Sequence, residues 1–323
     1  MIFLAADKSR LYNSYTESQL AAAPVLDMTD VMESPEMYTG TKVIFSTWGM
    51  PSLTTEEIEK YFPNLKAVFY AAGSVQHFAR PFLEMGVRIF SAWAGNAVPV
   101  AEFSAAQIVL ANKGYFQMPD LYRTKGGIAA REYSETFPGN YGVKVGLLGA
   151  GKIGRHVISL LRPYNIELLV FDPFLSLEEA QELGVEKESL EVIFTKCQTI
   201  SNHLANNKHT VGILNYNLFS RMADNATFIN TGRGMQVVEE DLLRALRECP
   251  RRTALLDVSI VEHTPPGTPL LNAPNLYMTP HRAGSFNNEI KRMGLMMFEA
   301  HSQYLAGEVS DCEVTIPMLE TMA

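Results

Sequence analysis

Three glycines in one short stretch constrain this chain more than any other feature. Lys144 to Leu148 is a mostly apolar run of strand length, Gly149, Gly151 and Gly154 follow it as G-x-G-x-x-G, and Ile153, Val157, Leu160 and Leu161 recur at helical spacing. The stretch reads as a buried strand, a tight turn and a helix start. Each glycine answers a physical need: the first permits the turn, the second lets a pyrophosphate approach the backbone, and the third allows close packing of helix on strand. The helix N-terminus then offers unpaired N–H groups to phosphate oxygens. Glycine turns are common, so the context matters. A second apolar run, Glu167 to Phe171, ends in Asp172, about 20 residues beyond the glycines, where a carboxylate accepts hydrogen bonds from an adenosine ribose. Together these features predict a dinucleotide site with contacts at Gly149, Gly151, Lys152, Ile153, Gly154 and Asp172. The expected cofactor is NAD, because Asp172 would repel a 2′-phosphate and Pro173-Phe174-Leu175 supply no arginine to bind one.

The chain has 323 residues, 47% apolar and 19% charged, which is ordinary for a globular protein and enough for about two domains. Its net charge of -8 and its lack of clustered Lys and Arg argue against nucleic acid or an anionic membrane surface as a partner. Met1 leads directly into a strand-like run, Ile2 to Ala5, with no basic segment or long apolar stretch. Neither a signal peptide nor a membrane span is therefore expected, and the expected location is the cytoplasm. Cys197, Cys249 and Cys312 lie far apart without C-x-x-C spacing, which predicts reduced packing thiols and no metal site.

From residue 1 to about 98, strand-like and helix-like runs alternate, the pattern of a parallel sheet wrapped by helices. Strands are expected over Ile2 to Ala5, Thr41 to Trp48, Leu65 to Ala71 and Val87 to Ala92, with helices over Thr54 to Phe62 and Phe78 to Gly86. A helix over Asn96 to Asn112 and a surface arm, Lys113 to Asn140, follow. Beyond the glycine motif, strands are expected over Thr199 to Leu204, Ala226 to Asn230, Ala254 to Asp257 and Leu276 to Thr279. Intervening helices fall at Leu177 to Leu183, Tyr216 to Met222 and Glu239 to Arg247, and Asn287 to Gly307 reads as a last helix returning to the first domain.

The chemically capable residues fall at the ends of these strands. In a parallel sheet that places Gly149, Asp172, Arg233, Asp257 and His281 along one carboxyl edge, where a dinucleotide must lie. Arg233 presents a planar, permanently charged fork that suits a carboxylate. His281 can give a proton to a carbonyl oxygen and take it back, and Glu262, on reaching the imidazole, would favour the imidazolium. This is the set that a 2-oxo acid needs. Rival readings exist: an Arg after a strand is commonly a surface ion-pair residue, Asp257 suits a loop cap, and His263 competes with His281 for Glu262. His203, at a strand end, also falls near the cleft.

Gly149 to Gly154 with Asp172, then Ser201-Asn202-His203-Leu204, Phe228 to Gly234, Leu255 to Val258 and Leu276 to Gly284 resemble, in order and spacing, the D-isomer-specific 2-hydroxyacid dehydrogenases. The resemblance implies that Arg233 binds substrate carboxylate, that His281 is the acid/base and that Glu262 supports it. It implies cofactor contacts at His203, Thr231, Gly232, Asp257 and Gly284, with Asp257 and Thr231 toward the nicotinamide, and backbone N–H groups of Ala72, Gly73 and Ser74 on the carboxylate. The implied fold is two doubly wound α/β domains, a Rossmann cofactor domain (99–285) inserted into a discontinuous flavodoxin-like substrate domain (1–98 plus 286–323). The implied partners are a small 2-oxo or 2-hydroxy acid and a second copy of the chain, met through the helix from Asn96 and its arm. An NAD(H)-sensing corepressor-like protein on the same scaffold is the alternative. Val258 to Pro266 and Leu204-Ala205-Asn206-Asn207 depart from the proline-rich loops that the family often carries at these places.

Overall fold

A computed structural model describes residues 1–320, and the chain divides into two compact units, Met1–Ala97 with the segment from Ser285 onward, and Val98–Gly284. Positions 321–323 of the expected substrate domain lie outside the described residues.

In the first unit, β1 (Ile2–Leu4), β2 (Val25–Leu26), β3 (Val43–Ser46), β4 (Ala67–Tyr70) and β5 (Arg88–Ser91) are parallel in the order β2-β1-β3-β4-β5, and Glu313–Val314 adds an antiparallel edge to β5. Successive side chains on a strand point to opposite faces. Ile2, Leu4, Ile44, Val68 and Ile89 therefore enter one core layer, and Phe3, Phe45, Phe69 and Phe90 enter the other. With both faces covered, the strands read as unbroken apolar runs. The last helix, Ile290–Ala306, lays Met293, Met297 and Ala300 on the phenylalanine face and stops at Gly307 in the left-handed conformation. Residues 9–33, which the alternation leaves blank, hold β2 and three short helices, two of them started by capping boxes at Thr16 with Gln19 and Asp27 with Asp30.

The second unit has seven parallel strands: β6 (Tyr141–Leu148), β7 (Asn165–Phe171), β8 (Glu186–Lys187), β9 (Thr199–Asn202), β10 (Thr227–Asn230), β11 (Thr253–Leu256) and β12 (Leu276–Met278). Their order is β8-β7-β6-β9-β10-β11-β12, so the winding reverses between β6 and β9. A reversal of this kind opens a crevice at the carboxyl ends of the two strands, and the glycine turn begins there. Val145, Leu147, Val170 and Ile229 fill one face, and Leu148, Leu169, Ile200 and Phe228 fill the other. The two-domain, doubly wound architecture expected from the sequence is the one observed.

One expectation gains detail and another needs correction. The arm is helical, Met118–Ser134, with a break at Gly126, whose φ of 85° only glycine adopts easily. In the helix Lys152–Leu161 the buried face is Gly154, Val157, Ile158 and Leu161, while Leu160 points to solvent. The three cysteines are thiols rather than disulfide halves, and burial pushes the Cys197 thiol up to about 12, as suits a packing residue. No helix among the described residues is long and apolar enough to cross a membrane.

One buried cation carries much local structure. Arg252 is 9% exposed and donates to the carbonyls of Ser220 and Met222 at 3.0 Å each and Ala245 at 3.4 Å, tying together two helix ends. Arg252→Ala leaves the Ser220 and Met222 carbonyls without this donor, and should lower unfolding free energy by about 2–4 kcal/mol, read as a lower urea midpoint with intact secondary structure at zero urea. An unchanged midpoint would show that the carbonyls find water instead.

Candidate active site

The cradle is built from backbone. Gly149 has φ 99°, and a Cβ there would lie 2.7 Å from the His203 carbonyl oxygen, because β9 returns directly beneath the turn. Gly154 lets the helix press onto that turn, since a Cβ would lie 2.1 Å from the Gly149 carbonyl oxygen. Gly151 caps the helix and faces open space, with no atom within 4 Å of where a Cβ would be. The turn therefore leaves room against a helix N-terminus for a pyrophosphate, and these residues fit a dinucleotide. Lys152 is exposed and Ile153 half-buried at the first turn of the helix.

Asp172 stands half-buried at the end of β7. Its carboxylate accepts from the Ala150 N–H at 2.7 Å and the Phe174 N–H at 2.8 Å, which ties the acid to the glycine turn and fixes its orientation. His203 meets the cradle through its backbone. Its ring is buried, its Nε2 lies 2.9 Å from Ser201 Oγ, and burial pulls its pKa down to about 4, so it is neutral at physiological pH. Thr231 is buried with its hydroxyl 3.0 Å from Ser104 Oγ, and Gly284 is half-buried at the last position of this unit.

Arg233 follows β10 and is half-buried. Burial pulls its guanidinium below the usual arginine value, and the Glu262 carboxylate acts in the opposite sense. Its Nη1 donates to the Gly232 carbonyl at 2.9 Å, and among the described residues no carboxylate lies within ion-pair distance. A partly desolvated cation that no carboxylate neutralises has the chemistry to take an anion. Gly234 brings this loop against the next one, since a Cβ there would lie 2.0 Å from the Ser259 carbonyl carbon.

Asp257 is 2% exposed, and its carboxylate is spent on the turn that bears His281. It accepts from Thr279 Oγ1 at 2.6 Å, the Arg282 N–H at 2.8 Å and the Ala283 N–H at 2.8 Å, while its carbonyl accepts from the His281 N–H at 2.9 Å. These four bonds hold His281 at φ 54°, a conformation costly for a residue with a Cβ. His281 Nδ1 lies 2.8 Å from Glu262 Oε1. A carboxylate can only accept, so Nδ1 carries the proton of this bond and Nε2 is left for another partner. The two side chains are 45% and 56% exposed, so the pair adds little stability, and what it supplies is a fixed ring and tautomer. Asp257, Ser259, Glu262, His263, Thr279 and His281 are among the residues lining a cavity of about 190 Å³, and Arg233 lies outside that lining.

In the first unit, the Ala72–Ser74 turn follows β4. The Ala72 N–H is already engaged with the Tyr70 carbonyl at 2.8 Å, so it is not free for a carboxylate, and Ser91 Oγ fixes the turn through the Ala72 and Gly73 carbonyls at 2.9 and 2.6 Å. Of the residues that sequence reasoning passed over, Asn202, Asn230 and Gln236 are the most engaged, joining the end of β9 to the Arg233 loop. Their signal was an amide at the end of each of two apolar strands, where a turn residue is the usual reading.

Comparison with known proteins places these features. Residues 106–283 match the model of the D-isomer specific 2-hydroxyacid dehydrogenase NAD binding domain. The D-3-phosphoglycerate dehydrogenase of Archaeoglobus fulgidus is 27% identical over 268 residues, which are 82% of this chain and 50% of that one. A putative 2-hydroxyacid dehydrogenase of Bacillus subtilis, YoaD, is 34% identical over 154 residues, 46% of this chain and 43% of its own. The chain thus spans about half the length of the curated relatives it matches. Among solved structures, D-mandelate dehydrogenase of Rhodotorula graminis superposes with a TM-score of 0.81 over 97% of this chain and 96% of that one; at 16% identity this likeness concerns the fold alone.

Proposed function

Because the chain belongs to the D-isomer-specific 2-hydroxyacid dehydrogenase family and carries its NAD-binding domain, we propose that it interconverts a 2-oxo acid and the matching D-2-hydroxy acid with NAD(H). One observation carries the reading: a single sheet edge holds a glycine cradle, an arginine without a carboxylate partner and a histidine oriented by a glutamate. Bound nicotinamide supplies the hydride for reduction and takes it up in the reverse direction. Arg233 holds the substrate carboxylate through two parallel N–H bonds and so fixes the adjacent carbonyl carbon. His281 passes a proton from Nε2 to the keto oxygen as charge develops there, and recovers it from the hydroxyl in oxidation. Glu262 keeps the ring in that tautomer and offsets the imidazolium charge. The test is a comparison of a 2-oxo acid with its methyl ester. Reduction of the acid with NADH, and loss of about 100-fold or more in kcat/KM for the ester, supports the assignment, whereas equal rates exclude the carboxylate grip.

Asp172 sets the choice of cofactor in this reading. A 2′-phosphate placed beside its carboxylate meets a like charge, with repulsion of about 4 kcal/mol at close range in a half-solvated site. We expect kcat/KM with NADH to exceed that with NADPH by about 100-fold, and Asp172→Ala to narrow the ratio by at least about tenfold. Equal use of NADPH by the unaltered protein would remove Asp172 from this role.

A further inference from the structure

The loop that carries Arg233 is held by three buried side-chain amides to which no role has been assigned. Asn202 closes β9, Asn230 closes β10 and Gln236 ends the short 3-10 turn Gly234–Gln236; none is more than 1% exposed. Asn202 Nδ2 donates to Asn230 Oδ1 at 3.0 Å and to Gln236 Oε1 at 2.7 Å. Every bond leaving the cluster goes to backbone. Toward the arginine, Asn230 Oδ1 accepts from the Gly232 N–H at 3.0 Å, Asn230 Nδ2 donates to the Arg233 carbonyl at 3.2 Å, and Gln236 Oε1 accepts from the Arg233 N–H at 3.2 Å. Toward the cradle, Asn202 Oδ1 accepts from the Leu204 N–H at 3.2 Å, and Gln236 Nε2 donates to the Leu204 and Ala205 carbonyls at 2.9 and 3.0 Å. The amides crowd Gly232, where a Cβ would lie 2.9 Å from Gln236 Oε1 and 3.0 Å from Asn202 Nδ2.

Three apolar side chains would fill this space without the cost of desolvating amides. A fully satisfied polar cluster instead specifies one geometry. We propose that Asn202, Asn230 and Gln236 are positioning residues for Arg233: they fix both backbone groups of that residue, and with them the point from which its side chain leaves the loop, and they lock the same loop to the Leu204–Ala205 lip of the cradle. The proposal rests on Arg233 as the carboxylate-binding group. It assigns the cluster to substrate affinity and leaves the proton transfer at His281 to the separate turn held by Asp257.

Gln236→Met keeps the length of the side chain and removes its amide, so the Arg233 N–H loses its acceptor and Asn202 Nδ2 keeps only Asn230 Oδ1, with one N–H stranded. KM for the 2-oxo acid should rise at least about tenfold with kcat changed less than about threefold, and amide hydrogen exchange at Arg233 should speed up. A second variant, Asn202→Leu with Gln236→Met, removes the stranded side-chain donor and restores apolar packing, while the Leu204 N–H gives up its bond to Asn202 Oδ1. It should regain part of the thermal stability lost in Gln236→Met yet keep the high KM and the fast exchange. A merely structural cluster gives the reverse, with KM recovering alongside stability, and that result or unchanged exchange at Arg233 overturns the proposal. If the unaltered protein reduces no 2-oxo acid, the functional reading fails by itself, and exchange at Arg233 in the two variants still decides whether the amides hold the loop.

Discussion

His281→Ala should lower kcat/KM for 2-oxo acid reduction by about 10²–10⁴-fold, with most of the loss in kcat and NADH affinity unchanged. The expectation follows from how the ring is held. Asp257 uses its whole carboxylate on the turn, the His281 backbone is kept at a positive φ, and Glu262 meets Nδ1 at 2.8 Å, so each neighbour acts on the orientation of one ring. Alanine at this position relieves backbone strain only slightly, so the fold should survive. Loss of activity without loss of NADH binding, the latter read by quenching of protein fluorescence, separates a proton-transfer role from a structural one. A variant retaining more than about a tenth of the activity would mean that another group, with His263 nearest to hand on the same cavity, moves the proton.

Arg233→Ala should act on the other half of the reaction. A truncated charge-assisted pair costs about 2–5 kcal/mol, so kcat/KM should fall by about 10²–10³-fold with a marked rise in KM. Arg233→Lys should restore only part of the loss, because an ammonium keeps the charge but lacks the planar fork that holds both carboxylate oxygens. Equal activity of the lysine variant and the unaltered protein would reduce the role of Arg233 to that of a point charge. Steady-state kinetics on one 2-oxo acid, with all three proteins measured side by side, distinguishes these cases.

Much of this was legible in the sequence, for identifiable reasons. Strands such as β4 and β6 bury both faces and announce themselves as apolar runs, and each glycine of the turn has a steric reason that the folded chain repeats at Gly149 and Gly154. The Glu262 and His281 contact spans two loops; the sequence placed His281 just after a strand, and it was the resemblance that paired Glu262 with it. Residues 9–33 were illegible to periodicity because their helices have six, four and six residues, too short to show a face, although their capping boxes stood in the sequence. Leu160 misled because an apolar residue can occupy the solvent side of a helix whose packed face is already filled by Val157, Ile158 and Leu161. The amide cluster was missed because its logic is tertiary. Asn202 and Gln236 are far apart in the chain and acquire meaning only when β9 and β10 lie side by side.

The most direct measurement is NADH consumption by the unaltered protein across a panel of 2-oxo acids spanning glyoxylate, hydroxypyruvate, its phosphorylated form and branched-chain acids, with the products resolved by chirality. The account predicts that at least one acid is reduced with one NADH consumed per product, and that a product with a chiral centre is the D-2-hydroxy acid. Tight NADH binding with no acid consumed, or formation of the L-isomer, would contradict it.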